Sequence, residues 1–293
     1  MTFDLATLLV QLAAGGLFFC WITTRRREVG LGYGWLLRIV FGVLAALGVV
    51  AGLGQSGTGA AIRNVAAALM AVAAMVALAQ SGYRRAAGVR GHREVAARRA
   101  ARVAAMTKTD PPDATDAPDR ALATSEADGP EFDPRLDLLA PIAGAVALFG
   151  GAAYVGGPYE LSLFRLFVGA LFLGAVTDAM LLGHWYLVQP GLARDPIKEL
   201  VKWVGVLWAF ELVAYLIPVG MVSVLNGTID DGYGGIVGWM WVVASVTTMG
   251  LVVATWFALK ERAYSAVMAA TGLLYLAILT GFGMDLLPRA LLS

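Results

Sequence analysis

Residues 161–188 read LSLFRLFVGALFLGAVTDAMLLGHWYLV, an apolar run in which Arg165, Asp178 and His184 are the only basic, acidic or imidazole side chains. As a helix this run is about 42 Å long, more than the ~30 Å of hydrocarbon in a bilayer. It has no continuous polar face to turn toward water, so it must be covered by other helices, by lipid or by both. Its reading decides the fold class: an all-α polytopic integral membrane protein.

The rest of the chain repeats the pattern. Apolar spans are expected at 6–24, 35–54, 64–82, 138–156, 161–188, 199–222, 235–258 and 264–287, about eight transmembrane helices in all. Helices are also dictated physically, because lipid offers no hydrogen-bond partner to open backbone groups. Composition agrees: of 293 residues, 59% are hydrophobic and only 15% charged, against about a quarter charged in ordinary soluble domains. A soluble protein of this size could not hide that much apolar surface. Residues 1–6, MTFDLA, carry Asp4 and no Lys or Arg, so a cleavable signal is not expected. Cys20 is the single cysteine, which excludes an intrachain disulfide, and no Cys/His spacing suits zinc.

Basic residues alternate between connections. The first holds Arg25, Arg26 and Arg27, with Arg38 just beyond. The third holds the arginines of 84–102, with Lys108, Arg120 and Arg135. The fifth holds Arg194, Lys198 and Lys202, and the seventh Lys260 and Arg262. The even connections and the C-terminal end offer only Arg63 and Arg289, with Arg165 slightly inside the fifth span. The positive-inside rule then places both termini outside and the odd connections in the cytoplasm. Heavy use of Ala, Gly, Val and Arg looks like a GC-rich bacterial genome, and the expected location is then a bacterial inner membrane.

Residues 84–137 divide the chain into a three-helix group (1–83) and a five-helix group (138–293). The first half of this segment is a basic, Ala-rich stretch expected to extend the third helix. The second half, rich in Asp, Pro, Ala and Thr, is expected to be disordered, because it cannot bury enough apolar area to offset ordering entropy. The division is uneven in chemistry, since six of the eight Trp follow the linker.

Ionisable groups at the bilayer centre cost about 2.5–3.5 kcal/mol or more, so each needs a partner, a cavity or a use. The candidates are Asp178 and Glu211, with His184 and Arg165. Counted from the loop between the fifth and sixth spans, Asp178 and Glu211 fall roughly 15–18 Å deep on consecutive helices. Facing each other in low dielectric they could not both stay ionised, so one would hold a proton. Arg165, near the outer end, is expected to snorkel or to pair with Glu160. Polar stripes join these residues: Trp208, Glu211 and Tyr215 on the sixth span, Trp241, Ser245, Thr248 and Thr255 on the seventh, and Thr271, Tyr275 and Asp285 on the eighth. Together they could enclose a polar cavity; singly, each stripe is satisfied by local hydrogen bonds and interfacial aromatics. Asp285, beside Pro288, reads as an interfacial residue.

His184 could ligate haem, bind quinone or relay protons. His92, the other histidine, lies in the basic arm, which excludes a bis-His haem within the membrane part of one chain. The residues 232–235, GYGG, look like a turn beside Asp230 and Asp231. No phosphate loop, nucleophile elbow, HExxH or dinucleotide fingerprint occurs. The expected function is therefore non-enzymatic: a small transporter or proton-coupled accessory subunit with a protonatable site between the fifth and sixth spans. The alternatives are a quinone- or haem-associated respiratory-chain subunit or assembly factor, and a membrane scaffold. No cofactor is expected in the leading reading. The expected partners are lipid and either other membrane proteins or a second copy of the chain; the charge pattern does not point to nucleic acid.

This topology predicts that, in intact cells, cysteines introduced into 84–102 and into 226–233 (in a Cys20→Ala background) label from opposite faces of the membrane. Labelling from one face would remove the alternation on which the depths depend.

Overall fold

The computed structural model describes residues 3–26, 28–84, 100–106, 108, 132–189 and 192–292. Among these the chain is helical throughout: α1 (Leu5–Thr24), α2 (Leu31–Ala51), α3 (Thr58–Tyr83), a 3-10 turn (Pro134–Leu138) leading into α4 (Leu139–Val155), α5 (Tyr159–Val188), α6 (Asp195–Leu216), the short α7 (Gly220–Leu225), α8 (Ile236–Ala258) and α9 (Tyr264–Leu291). Residues 100–106 are also helical. The remainder of the basic arm and the acidic stretch, Lys108 apart, lies outside the described residues up to 131.

Seven of the long helices are apolar and long enough to cross a membrane, which makes this a multi-pass membrane protein. The exception is α6. Asp195, Lys198, Glu199 and Lys202 crowd its first two turns, yet its outer face beyond them is exposed and apolar at Val206, Phe210 and Val213. The expected sixth span, 199–222, thus divides at Pro218 into α6 and α7. Proline supplies no N–H to continue the helix and restricts the residue before it.

Burial separates centre from periphery. α1 and α5 are 67% and 78% buried over their apolar windows, whereas α2, α3, α4, α8 and α9 are 28–44% buried. Helices apolar all round belong inside; those with one covered face belong against lipid. The outer faces show Val65, Leu69 and Val72 on α3, Val243 and Val246 on α8, and Leu276 and Leu279 on α9. Such a surface would aggregate in water and is matched to hydrocarbon.

α1 and α5 meet at their midpoints with backbones in contact. A Cβ on Gly15 would lie 1.7 Å from the Ala170 carbonyl oxygen, and one on Gly174 would lie 2.3 Å from the Gly15 carbonyl carbon. Lipid supplies no hydrophobic drive between helices, so close van der Waals approach through small residues has to do that work. α3 and α4 meet the same way at Gly59 and Gly150. The helices before and after the linker therefore share one core: Phe19 and Cys20 of α1, Tyr33 and Leu37 of α2, and Phe172 and Leu173 of α5 belong to a single buried cluster.

Ion pairs tie the helix ends together. At one end Arg25 bonds Glu199 at 2.5 Å, and Arg38 grips Asp137 through two bonds of 2.7 Å. Arg194 donates to the carbonyls of Glu261, Arg262 and Ala263. These contacts bring the first, third, fifth and seventh connections to one end of the bundle, as the basic pattern requires. At the other end the fully buried Arg63 bonds Asp4 at 2.6 Å and lies over the Tyr154 ring. The GYGG segment is a turn there. Gly232, Gly234 and Gly235 take positive φ, the conformation glycine adopts without steric cost. The Asp231 carboxylate collects the N–H groups of Tyr233, Gly235, Val237 and Gly238, which caps the start of α8.

The Gly235 N–H above all, with those of Tyr233, Gly238 and Val237, holds the Asp231 carboxyl below its ordinary value of 3.8, against the opposing effect of burial. The lowered folded value means its stabilisation is complete above 3.8 and is lost as pH falls through the folded value. Asp231→Asn should melt below the parent at neutral pH, and the two melting curves should converge as the pH drops below 4, within about the range of that titration. A gap that persists in acid would show that the charge is not what caps α8.

Candidate functional site

The polar residues of the membrane interior form two groups, and the glycine crossing lies between them. The larger group sits toward the end that carries Asp231 and the α6–α7 break. Pro218 lacks the N–H that the Ala214 carbonyl would otherwise receive one turn later. Arg165 of α5 fills that position: its Nε donates to Ala214 O at 2.9 Å and its Nη2 to Ile217 O at 3.0 Å. The guanidinium also lies 5.4 Å from the Tyr215 ring centroid. Arg165 is therefore held by α6 and not by Glu160, which is exposed.

One helix away, Asp285 and Arg289 of α9 form a two-bond ion pair of 2.7 and 2.8 Å, one turn apart. Tyr215 donates its hydroxyl to Asp285 Oδ1 at 3.1 Å. The floor is Gly169 of α5, where a Cβ would lie 2.2 Å from Gln11 Nε2, 2.7 Å from Asp285 Oδ1 and 2.8 Å from Arg289 Nη2. Glycine is needed here because Gln11, Asp285 and Arg289 occupy the space over its backbone. Glu211 completes the group. It is fully buried, its electrostatic neighbours are Asp285, Arg289 and Arg165, and neither of its carboxyl oxygens has a hydrogen-bond partner among the described residues. The Gln11 amide is likewise without a partner there. Buried polar groups are nearly always paired, so these exceptions are informative.

The expected level pairing of Asp178 with Glu211 is not found. α6 begins at Asp195, earlier than the expected span, so Glu211 lies about 24 Å along it, whereas Asp178 lies about 15 Å from the end of α5. Asp178 instead faces α1 and α2. The Tyr33 hydroxyl donates to its main-chain oxygen at 3.2 Å, and Cys20 and Tyr33 are its titratable neighbours on α1 and α2. Asp285, expected at an interface, is fully buried and central to the larger group.

The other candidates lie elsewhere. His184 Nδ1 is 2.9 Å from the Tyr275 hydroxyl on an exposed surface between α5 and α9, away from both buried groups. Trp208 Nε1 donates to Ser245 O, tying α6 to α8. Ser245, Thr248 and Thr255 each donate to the carbonyl four residues earlier on α8, and Thr248 also donates to Thr280. Among the described residues the α8 stripe is thus closed on its own helix and on α9, while Glu211 and Tyr215 of the α6 stripe meet Asp285 of the α9 stripe in the larger group. The hollow beside them is an open groove of about 570 Å³ between α8 and α9, lined by apolar residues such as Trp239, Met240 and Leu279.

Gln11 and Arg289 were not among the sequence candidates, and Asp285, named in the eighth-span stripe, was read as an interfacial residue. The spacing of Asp285 and Arg289 on a helical run was a usable signal. Gln11, a neutral amide, left none.

Fold and geometry define a multi-pass helical membrane protein with a buried mixed-charge cluster linking α1, α5, α6 and α9. No family model, curated protein or solved structure matches the chain.

Breaking the central pair should be costly. Arg289→Ala leaves Asp285 as a buried charge beside Glu211 and is expected to destabilise the protein by about 3–5 kcal/mol. Arg289→Ala with Asp285→Ala should recover much of that loss in detergent unfolding. Equal losses in the single and double variants would show that the pair carries no mutual stabilisation.

Proposed function

We propose that this chain is a proton-coupled membrane module, a small transporter or an accessory subunit, and that Glu211 is the group that takes up and releases the proton. One observation carries this reading: the Glu211 carboxyl is fully buried, accepts no hydrogen bond from a donor among the described residues, and lies within proton-sharing reach of the Asp285 carboxyl and near two guanidinium groups. Asp285 is occupied by Arg289 and Tyr215, and Arg165 by the carbonyls at the end of α6. Among the ionisable groups of the cluster, Glu211 is the one that neither donates nor accepts a hydrogen bond in a charged pair, and it can share a proton with Asp285.

With Glu211 ionised, the charges of Arg165, Arg289, Asp285 and Glu211 cancel; with it protonated, the cluster carries one net positive charge. In a low-dielectric interior that difference is large compared with the same step in water. The proton therefore biases how α6 sits against α5 and α9, and a two-state element of this kind is what coupling requires. Arg165 is a positioning residue, because it holds the end of α6 that carries Tyr215. The gathering of the basic connections at one end supports a reading in which that end faces the cytoplasm of a bacterial-type inner membrane and the Glu211 cluster lies toward the outer side.

Infrared difference spectra recorded across a pH step should show the C=O stretch of a buried protonated carboxyl, and Glu211→Gln should remove it while leaving the melting temperature near that of the parent. A spectrum unchanged by Glu211→Gln would sink this reading.

A further inference from the structure

Asp178 is fully buried, and neither of its carboxyl oxygens has a hydrogen-bond partner among the described residues. It takes no part in the Glu211 cluster, and its surroundings run the other way. Cys20 of α1 feels Asp137, Arg38 and Asp178, and Tyr33 of α2 feels Asp178, Cys20 and Tyr186. Arg38 and Asp137 belong to the end where the basic connections gather. Among the described residues no charged group of α6 or α9 is a neighbour of Asp178, and Thr271 of α9 bonds the Gly183 carbonyl and its own helix. Thr177, next in sequence, has a hydroxyl without a partner among the described residues.

On α1 the same order repeats. Gln11 lies with the Glu211 cluster, Cys20 lies with Asp178, and Gly15 is between them. On α5, Gly169 is at the Glu211 cluster, Asp178 is at the other, and Ala170 and Gly174 are between. The intervening residues are those whose backbones touch, with no room for a methyl group and hence none for water.

We propose that Asp178 is a second proton-binding site, opening toward the end where the basic connections gather, and that the Gly15–Gly174 contact is the barrier separating it from Glu211. The proton enters and leaves the two carboxyls from opposite sides of the membrane, and it passes between them only when α1 and α5 part. This rests on the reading of Glu211 given above and adds a second site, a direction and a gate.

Cys20 makes this testable, because it is the single cysteine and an electrostatic neighbour of Asp178, and because it is buried in this structure, so that a polar reagent reaches it only if the site opens. A small charged methanethiosulfonate reagent reacts with a thiolate in a hydrated space and does not cross lipid. In sealed right-side-out and inverted vesicles, Cys20 should be modified only from the face of the basic connections. In a Cys20→Ala background, Gln11→Cys should be modified only from the opposite face. Modification of either thiol from both faces, or of both from one face, overturns the barrier, and modification of neither overturns the two openings and with them the second site's access route. Asp178→Asn should remove a protonated-carboxyl infrared band distinct from that lost in Glu211→Gln, and a spectrum without that loss overturns the second site. The two readings fail separately. Opposite-face labelling with an unchanged Glu211→Gln spectrum keeps the barrier and removes Glu211; the reverse pair of results keeps Glu211 and removes the barrier.

Discussion

The contact between Gly15 and the Ala170–Gly174 stretch is the constraint on which the rest of the bundle depends. Two helices apolar on all sides can be central only if something draws them together, and lipid competes equally well for their side chains. Backbone contact resolves this, because dispersion over bare backbone is available only where Cβ atoms are absent. Once α1 and α5 are locked at mid-depth, the rotation of each helix is set. That rotation sends Gln11 and Gly169 to one end, Cys20 and Asp178 to the other, and leaves the remaining helices to cover the outer flanks.

Charge is confined to the places this centre leaves open. Arg38 with Asp137, Arg63 with Asp4, and Arg289 with Asp285 are each buried two-partner arrangements in which desolvation is offset by short, charge-assisted bonds. Arg165 is different. It neutralises no carboxylate directly but replaces the N–H missing from Pro218, turning a broken helix into a fixed end. Against these paired charges, the carboxyls of Glu211 and Asp178, which accept no hydrogen bond from a donor among the described residues, stand out.

Much of the fold was legible from hydropathy alone. The observed helices Leu5–Thr24, Tyr159–Val188 and Ile236–Ala258 fall almost on the expected spans, because hydrocarbon thickness and the need to bond every backbone group leave little latitude. The GYGG turn was legible too, from glycine and Asx chemistry. The candidate site was only half legible. Glu211, Arg165 and Tyr215 do meet, but Asp178 does not join them, and Asp285, Arg289 and Gln11 complete the group. The error lay in the start of α6: Asp195 and Lys198 look like loop by hydropathy and the span was begun at 199, yet residues 195–198 are the first turn of the helix and put Glu211 farther from its start.

By itself the sequence determined the membrane class, the helical elements and the convergence of the odd connections at one end, since each depends on the one-dimensional order of apolar and basic residues. Only the tertiary structure decided which buried acids share surroundings, which arginine caps which helix, and that two polar groups are held apart by bare glycine backbone. Those outcomes depend on helix rotation and axial register. A low-moment apolar helix encodes neither in its pattern, and they are settled only when backbones touch.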